Sequence, residues 1–205
     1  MKAFDLVYKD YLIELANIDL ADRAQTLNLK MESDSIIIPF FGRQHFISKR
    51  DVLDGDGKAP TPAVATVLLH YVLRNTGLPP SNAEKITFRD VKGAGPLVVS
   101  FANNTNHLIA STFAGRLDAL ETACRNLGGE PAVQAAVPAD LFVKFQALPG
   151  VPQFLSFNDR DEDFPAQSHM FFQRSAETCL DLESLFVLGT YLAGNLIKFH
   201  RHDQL

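Results

Sequence analysis

A run of charged residues late in the chain has a spacing that could bind a cation. Residues 159–163 read D-R-D-E-D, so carboxylates alternate along the run as they do at the start of a calcium-binding loop. Such a loop also needs glycine at its sixth position and a bidentate glutamate at its twelfth. The sequence has Phe164 and Met170 at those positions. The run therefore predicts an exposed hairpin tip, and no metal site is predicted.

Motifs for nucleotide binding and hydrolysis are incomplete or missing in the sequence. The G-x-G at 93–95 follows a predicted strand, but Val98 stands where a dinucleotide-binding motif has its third glycine. Gly57 and Lys58 resemble the end of a P-loop, but Ala59 replaces the hydroxyl that binds magnesium. Neither G-x-S-x-G nor H-E-x-x-H occurs. No catalytic residue is nominated, and no cofactor is identified.

Two histidines lie where they could take part in a functional site. His169 belongs to a predicted strand shortly after the acidic run. His70 lies in the most apolar predicted helix, so it needs a polar partner if it is buried. A lone histidine is more often a hydrogen-bonded structural residue than a ligand, and His70 is therefore a secondary candidate.

Composition and charge exclude two classes of partner. The 205 residues carry a formal net charge of −5, which argues against binding nucleic acid or an anionic membrane surface. The longest apolar segments, 64–73 and 185–192, are too short to span a bilayer. Acidic residues early in the chain and two cysteines without C-x-x-C spacing, Cys124 and Cys179, predict a cytoplasmic protein with reduced thiols.

Hydrophobic periodicity and turn residues predict one globular α+β domain over residues 1–205, with a mainly antiparallel sheet, hairpins and helices packed on one face. The predicted strands are a hairpin over 35–48, a strand over 86–91, and three consecutive antiparallel neighbours over 142–148, 151–157 and 168–173. Because Pro39 lacks a backbone donor, its strand is predicted to lie at a sheet edge.

Helix-start and helix-stop residues locate five helices. They are predicted over 4–18, from Thr61 to about Gly77, from about Asn104, over 117–127, and from Asp181 to near the end of the chain. In the last helix, Gly189 and Ala193 predict a close approach to the sheet.

Several short motifs together resemble an uncharacterised family of anaerobic bacteria and archaea. The family pattern is roughly L-P-x-x-P, then D-E-x-F-P-A, then L-F-D before a closing helix. The matching segments here are 147–152, 161–166, 170–172, and the helix after Leu180, with further similarity at 68–73, 86–89 and 127–129. The resemblance covers about residues 60 to 198. The chain departs from the pattern in having Gln173 after the aromatic pair and in lacking cysteines for a cluster.

The resemblance implies a partner. Some members of that family look like carboxy-terminal modules attached to an iron–sulfur binding segment, in proteins related to corrinoid or one-carbon metabolism. It therefore implies that this chain acts beside an iron–sulfur or corrinoid protein, with a small molecule as the other candidate partner.

Two functional hypotheses follow, and both involve the D-E-x-F-P-A segment. The favoured one is a non-enzymatic binding or accessory module whose groove is walled by the D-E-x-F-P-A hairpin. Its candidate functional motif comprises six residues: Asp161, Glu162, Asp163, Phe164, Pro165 and His169. The alternative is a small hydrolase or transferase that uses Asp161 and Glu162 with His169, with or without a divalent metal. An enzyme needs these carboxylates to face a pocket, whereas a module lets them face solvent.

The aromatic residue of this motif carries a structural expectation. The following proline holds Phe164 extended, so Phe164 is predicted to fold back into the core as an anchor. Asp159 and Arg160 are predicted to remain solvated.

Overall fold

The computed structural model describes residues 3–78, 84–133 and 139–202. It shows an α+β fold built from two antiparallel sheets. The helices are α1 Ala3–Ala16, α2 Leu20–Thr26, α3 Pro62–Arg74, α4 Val98–Asn104, α5 Asn106–Phe113, α6 Leu117–Asn126 and α7 Leu182–His202. The strands are β1 Lys30–Glu32, β2 Ser35–Phe40, β3 Arg43–Ile47, β4 Val52–Asp54, β5 Lys85–Thr87, β6 Glu130–Pro131, β7 Leu141–Leu148, β8 Val151–Asn158 and β9 Gln167–Gln173.

The four-stranded sheet has the order β1-β2-β3-β4. The predicted hairpin is confirmed as β2 and β3, which are joined by a tight turn with φ of +47° at Phe41 and +75° at Gly42. The prediction that the strand of Pro39 lies at an edge is wrong, because β2 lies between β1 and β3. The sheet tolerates this proline because β1 pairs with β2 only up to Ile37. No residue of β1 lies opposite Pro39, so no β1 carbonyl depends on the N–H that proline lacks.

The five-stranded sheet has the order β5-β9-β8-β7-β6. Its three central strands confirm the predicted antiparallel meander, with β8 paired to β7 on one side and to β9 on the other. The strand predicted over 86–91 is shorter than expected. The carboxylate of Asp90 accepts hydrogen bonds from the backbone N–H and the hydroxyl of Thr87, and the chain turns into a 3-10 helix at Phe88.

Helices α3 and α7 begin where their capping residues predict. The hydroxyl of Thr61 accepts a hydrogen bond from the N–H of Val64, and the carboxylate of Asp181 accepts one from Ser184 at 2.8 Å. The helical segment predicted from about Asn104 instead begins at Val98. It is divided into α4 and α5 at Thr105, whose hydroxyl donates to the carbonyl oxygen of Phe101.

One continuous cluster of buried hydrophobic side chains includes residues of both sheets and of the helices, among them Ile36, Leu155 and Leu188. The close approach expected at Gly189 is made to helix α4 and not to a sheet. A Cβ at Gly189 would lie 2.3 Å from the ring of Phe101, so this position has no room for a side chain.

Candidate functional site

The hairpin tip, defined as residues 160–165, is a compact turn between β8 and β9. A single carboxylate oxygen, Oδ1 of Asp161, accepts hydrogen bonds from the backbone N–H groups of Asp163 at 2.9 Å and of Phe164 at 2.7 Å. The N–H of Asp161 donates in turn to the carbonyl oxygen of Phe164 at 3.0 Å. These bonds hold the backbone of the turn closed.

The base of the hairpin is tied to two distant segments. The N–H of Asp159 donates to Oδ2 of Asp140 at 2.7 Å, and Oδ1 of Asp159 accepts from the N–H of Gly115 at 2.6 Å. The guanidinium of Arg160 lies over Gly115, where a Cβ would come within 2.9 Å of it. Asp159 is therefore half-buried and bonded, and the prediction that it stays solvated is wrong, whereas Arg160 is exposed as predicted.

The prediction that Phe164 is a core anchor is also wrong. Its side chain is 65% exposed. The turn explains this orientation, because both backbone polar groups of Phe164 bond inward to Asp161 and the chain re-enters the fold only afterwards. Ala166, two residues later, packs against the core instead.

The remaining predicted motif residues also face solvent. Asp161, Glu162, Asp163 and Pro165 are exposed on the tip, and His169 is exposed on β9 with its ring 6.5 Å from that of Phe171. Within the described ranges, His, Cys, Asp and Glu form no group of three that could hold a metal ion.

The secondary candidate, His70, lies in a contact between three helices. Its Nδ1 is 3.0 Å from the hydroxyl of Tyr11 on α1 and 3.3 Å from Oδ2 of Asp181, the residue that caps α7. Burial lowers the pKa of His70, and this effect outweighs the nearby Asp181 carboxylate, which raises it. A neutral His70 thus links α1, α3 and α7, which is a structural role.

The sequence did not reveal which residues bind His70 and Asp159. Tyr11, Gly115 and Asp140 are each far along the chain from the residues they bind, and no local pattern pointed to the pairs. Of these three residues, only Gly115 could have been recognised locally. A glycine between two helical segments is typical of a turn with positive φ, and the φ of Gly115 is +72°.

Both cysteines are free thiols, as predicted, and both are buried. Burial raises the pKa of Cys124 and that of Cys179 to about 12, so both are protonated at neutral pH.

No helix within the described ranges combines the length and the apolar character needed to cross a membrane.

The fold and the site together define an α+β domain that displays a rigid acidic hairpin tip with an exposed aromatic ring. The chain belongs to the family described as Domain of unknown function (DUF3786), whose model matches residues 19–195. The match includes the hairpin tip, His70 and both cysteines, and it begins after helix α1. No curated protein and no solved structure matches the chain.

Proposed function

We propose that this domain is a non-enzymatic binding module that recognises a protein partner through the hairpin tip. The observation that carries the proposal is the 65% exposure of Phe164 on a turn that Asp161 holds closed. An aromatic ring displayed on a preorganised backbone loses little conformational entropy on binding, and such residues dominate protein interfaces.

The charge of the tip specifies the surface it fits. Asp161, Glu162 and Asp163 directly precede Phe164 and give the tip three exposed carboxylates, against the one guanidinium of Arg160. The complementary surface is an apolar recess bordered by lysine or arginine. Such a contact forms faster at low ionic strength, because opposite charges steer the encounter.

The proposed partner is an iron–sulfur or corrinoid protein of anaerobic one-carbon metabolism, and the proposed location is the cytoplasm. The partner is supported by the resemblance of the L-P-x-x-P and D-E-x-F-P-A segments to modules attached to iron–sulfur segments. The location is supported by the two unbridged thiols, Cys124 and Cys179.

The alternative, a hydrolase or transferase, gains no support from the geometry. Asp161 and Glu162 are exposed, and one carboxylate oxygen of Asp161 is occupied by two backbone donors. His169 lies on the open surface of β9.

Site-specific photo-cross-linking in cells of the source organism tests the proposal. The photoreactive residue p-benzoylphenylalanine replaces Phe164 in one variant and Ile13 in a second. Ile13 is the matched control because it is 67% exposed, close to the value for Phe164, and belongs to helix α1 and not to the tip. We expect one protein to cross-link at position 164 and not at position 13. Equal capture at both positions contradicts the proposal.

The captured protein is then purified and titrated with variants of this chain. Phe164→Ala is expected to weaken binding at least about tenfold, whereas Ile13→Ala leaves it unchanged. Asp161→Asn keeps an acceptor oxygen for the turn but removes its charge, and Asp161→Ala removes both. Asp161→Ala should therefore weaken binding more than Asp161→Asn.

The visible absorption spectrum of the partner tests the metabolic assignment separately. A partner without an iron–sulfur or corrinoid chromophore contradicts that assignment alone.

A further inference from the structure

A cavity of about 460 Å³ opens between helix α6 and the edge of the five-stranded sheet at β6 and β7. Its walls are mainly apolar, and the residues that line it include Cys124, Leu141, Phe142 and Val143. The volume lies within the range of small-molecule sites.

Positively and negatively charged residues line this cavity, both on helix α6 and next to strand β7. Glu121 and Arg125 belong to α6, and Asp140 immediately precedes β7. The guanidinium of Arg125 donates to the hydroxyl of Thr122 at 3.2 Å, and Asp140 accepts from the N–H of Asp159 at 2.7 Å. These contacts restrain the guanidinium and the Asp140 carboxylate without neutralising either charge.

Cys124 lies beside the cavity and is not a reactive group. The residue is 1% exposed, and burial together with the nearby Glu121 carboxylate raises the pKa of the thiol to about 12. Cys124 therefore offers a ligand neither a charge nor a nucleophile.

We propose that this cavity binds a free α-amino acid with a large apolar side chain. The carboxylate of the ligand pairs with Arg125, its ammonium group pairs with Asp140 and Glu121, and its side chain contacts the apolar wall. The site includes none of the tip residues and is distinct from the tip, although Asp140 also accepts a hydrogen bond from Asp159 at the base of the hairpin.

The distribution of charge selects this ligand class over simpler ones. An apolar carboxylate satisfies Arg125 but faces two carboxylates, and like charges in a confined site repel. An apolar amine satisfies the acids but leaves the guanidinium without an anion. A zwitterion with an apolar body pairs both signs and also fills the cavity.

Isothermal titration calorimetry with three probes tests the proposal. The probes are L-phenylalanine, phenylacetate, which lacks the ammonium group, and 2-phenylethylamine, which lacks the carboxylate. We expect saturable one-to-one binding that is strongest for L-phenylalanine. Absence of saturable L-phenylalanine binding overturns the proposal, as does binding of either single-charge probe as tightly as L-phenylalanine.

Three variants test which residues hold the ligand. Arg125→Gln is expected to weaken L-phenylalanine binding roughly tenfold to a hundredfold and to leave 2-phenylethylamine binding unweakened. Asp140→Asn, which keeps an acceptor for Asp159, is expected to weaken both. Ala132→Trp, at the cavity wall, should abolish binding while the variant keeps the wild-type circular dichroism spectrum. Unchanged L-phenylalanine binding in a folded Ala132→Trp or Arg125→Gln variant overturns the proposal.

Discussion

At the scale of single residues, the carboxylate of Asp161 stabilises the turn that holds the ring of Phe164 outward. The three hydrogen bonds between Asp161 and the backbone of residues 163 and 164 close the turn. Phe164 is thereby held outward although its hydrophobicity favours burial, and Ala166 occupies the adjacent place at the core. A large apolar residue kept exposed by a rigid turn gains no folding energy from its ring, which is why recognition is its proposed role.

The exposure of Phe164 makes a prediction about stability. Phe164→Ala should change the free energy of unfolding by no more than about 0.5 kcal/mol, because the ring is largely in water in the folded state. Phe157→Ala is the control, since Phe157 on β8 is 0% exposed and its loss should cost about 3 to 5 kcal/mol. Urea unfolding curves of both variants measure the difference. A loss of several kcal/mol for Phe164→Ala contradicts the observed orientation.

Two histidines whose pKa is lowered in the folded state predict how stability depends on pH. Burial lowers the pKa of His70 and that of His45, so the unfolded chain binds a proton more readily than the folded chain. The free energy of unfolding should therefore fall as pH drops below about 6.5, the ordinary histidine pKa, and level off below the pKa of the folded state. Urea unfolding curves at pH about 7.5, 6.5 and 5.5 measure this dependence.

The variant His70→Asn removes one of the two groups and should flatten part of this pH dependence. The interval lies above the range in which most carboxyl groups titrate, which keeps their contribution small. A free energy of unfolding that stays constant or rises in the wild-type protein as pH falls across this interval contradicts the prediction.

At the scale of elements, helix α7 is positioned by contact with other helices. Gly189 faces the ring of Phe101 on α4, and this ring is stacked on Phe88 with centroids 4.1 Å apart. Phe186, one turn earlier on α7, meets the ring of Phe101 edge-on at 5.7 Å. The missing side chain at Gly189 thus lets two helix backbones approach around an aromatic cluster.

Two glycines of this one helix give a matched test. In Gly189→Ala the new Cβ would lie 2.3 Å from the Phe101 ring, so we expect a net loss of about 1 to 3 kcal/mol despite the better helix propensity of alanine. Gly194 has open space around it, and Gly194→Ala should stabilise the protein by up to about 1 kcal/mol. Thermal melts of both variants compare the two effects. Stabilisation by both contradicts the packing at Gly189.

At the scale of the whole molecule, the turn between β2 and β3 joins the two sheets. The N–H of Phe41 donates to the carbonyl oxygen of Ala147 on β7 at 3.0 Å, and the Phe41 ring lies 5.1 Å from that of Tyr191 on α7. The same buried cluster includes side chains from both sheets. Neither sheet can separate without exposing hydrophobic surface that belongs to the other.

This shared core predicts cooperative unfolding of one domain. We expect the far-ultraviolet circular dichroism signal, which follows secondary structure, and the tyrosine fluorescence, which follows packing, to change in a single coincident transition. Urea titration followed by both probes provides the test. Two separated transitions contradict the prediction that residues 1–205 fold as one domain.

Local sequence determined those parts of the fold whose causes lie within a few residues. The strands at 142–148, 151–157 and 168–173 and the caps at Thr61 and Asp181 could all be predicted this way. Turn residues and side-chain periodicity act on neighbours in the chain, and the fold leaves these local preferences unopposed.

The features that depend on residues far apart in the chain were determined by the tertiary structure alone. The place of β2 inside its sheet depends on how short β1 is, and the partners of His70 come from two other helices. The orientation of Phe164 and the cavity beside α6 depend on which segments come together around them. Hydrophobicity measures the tendency of a side chain to leave water, but only the packed arrangement of elements determines whether a buried place exists for it.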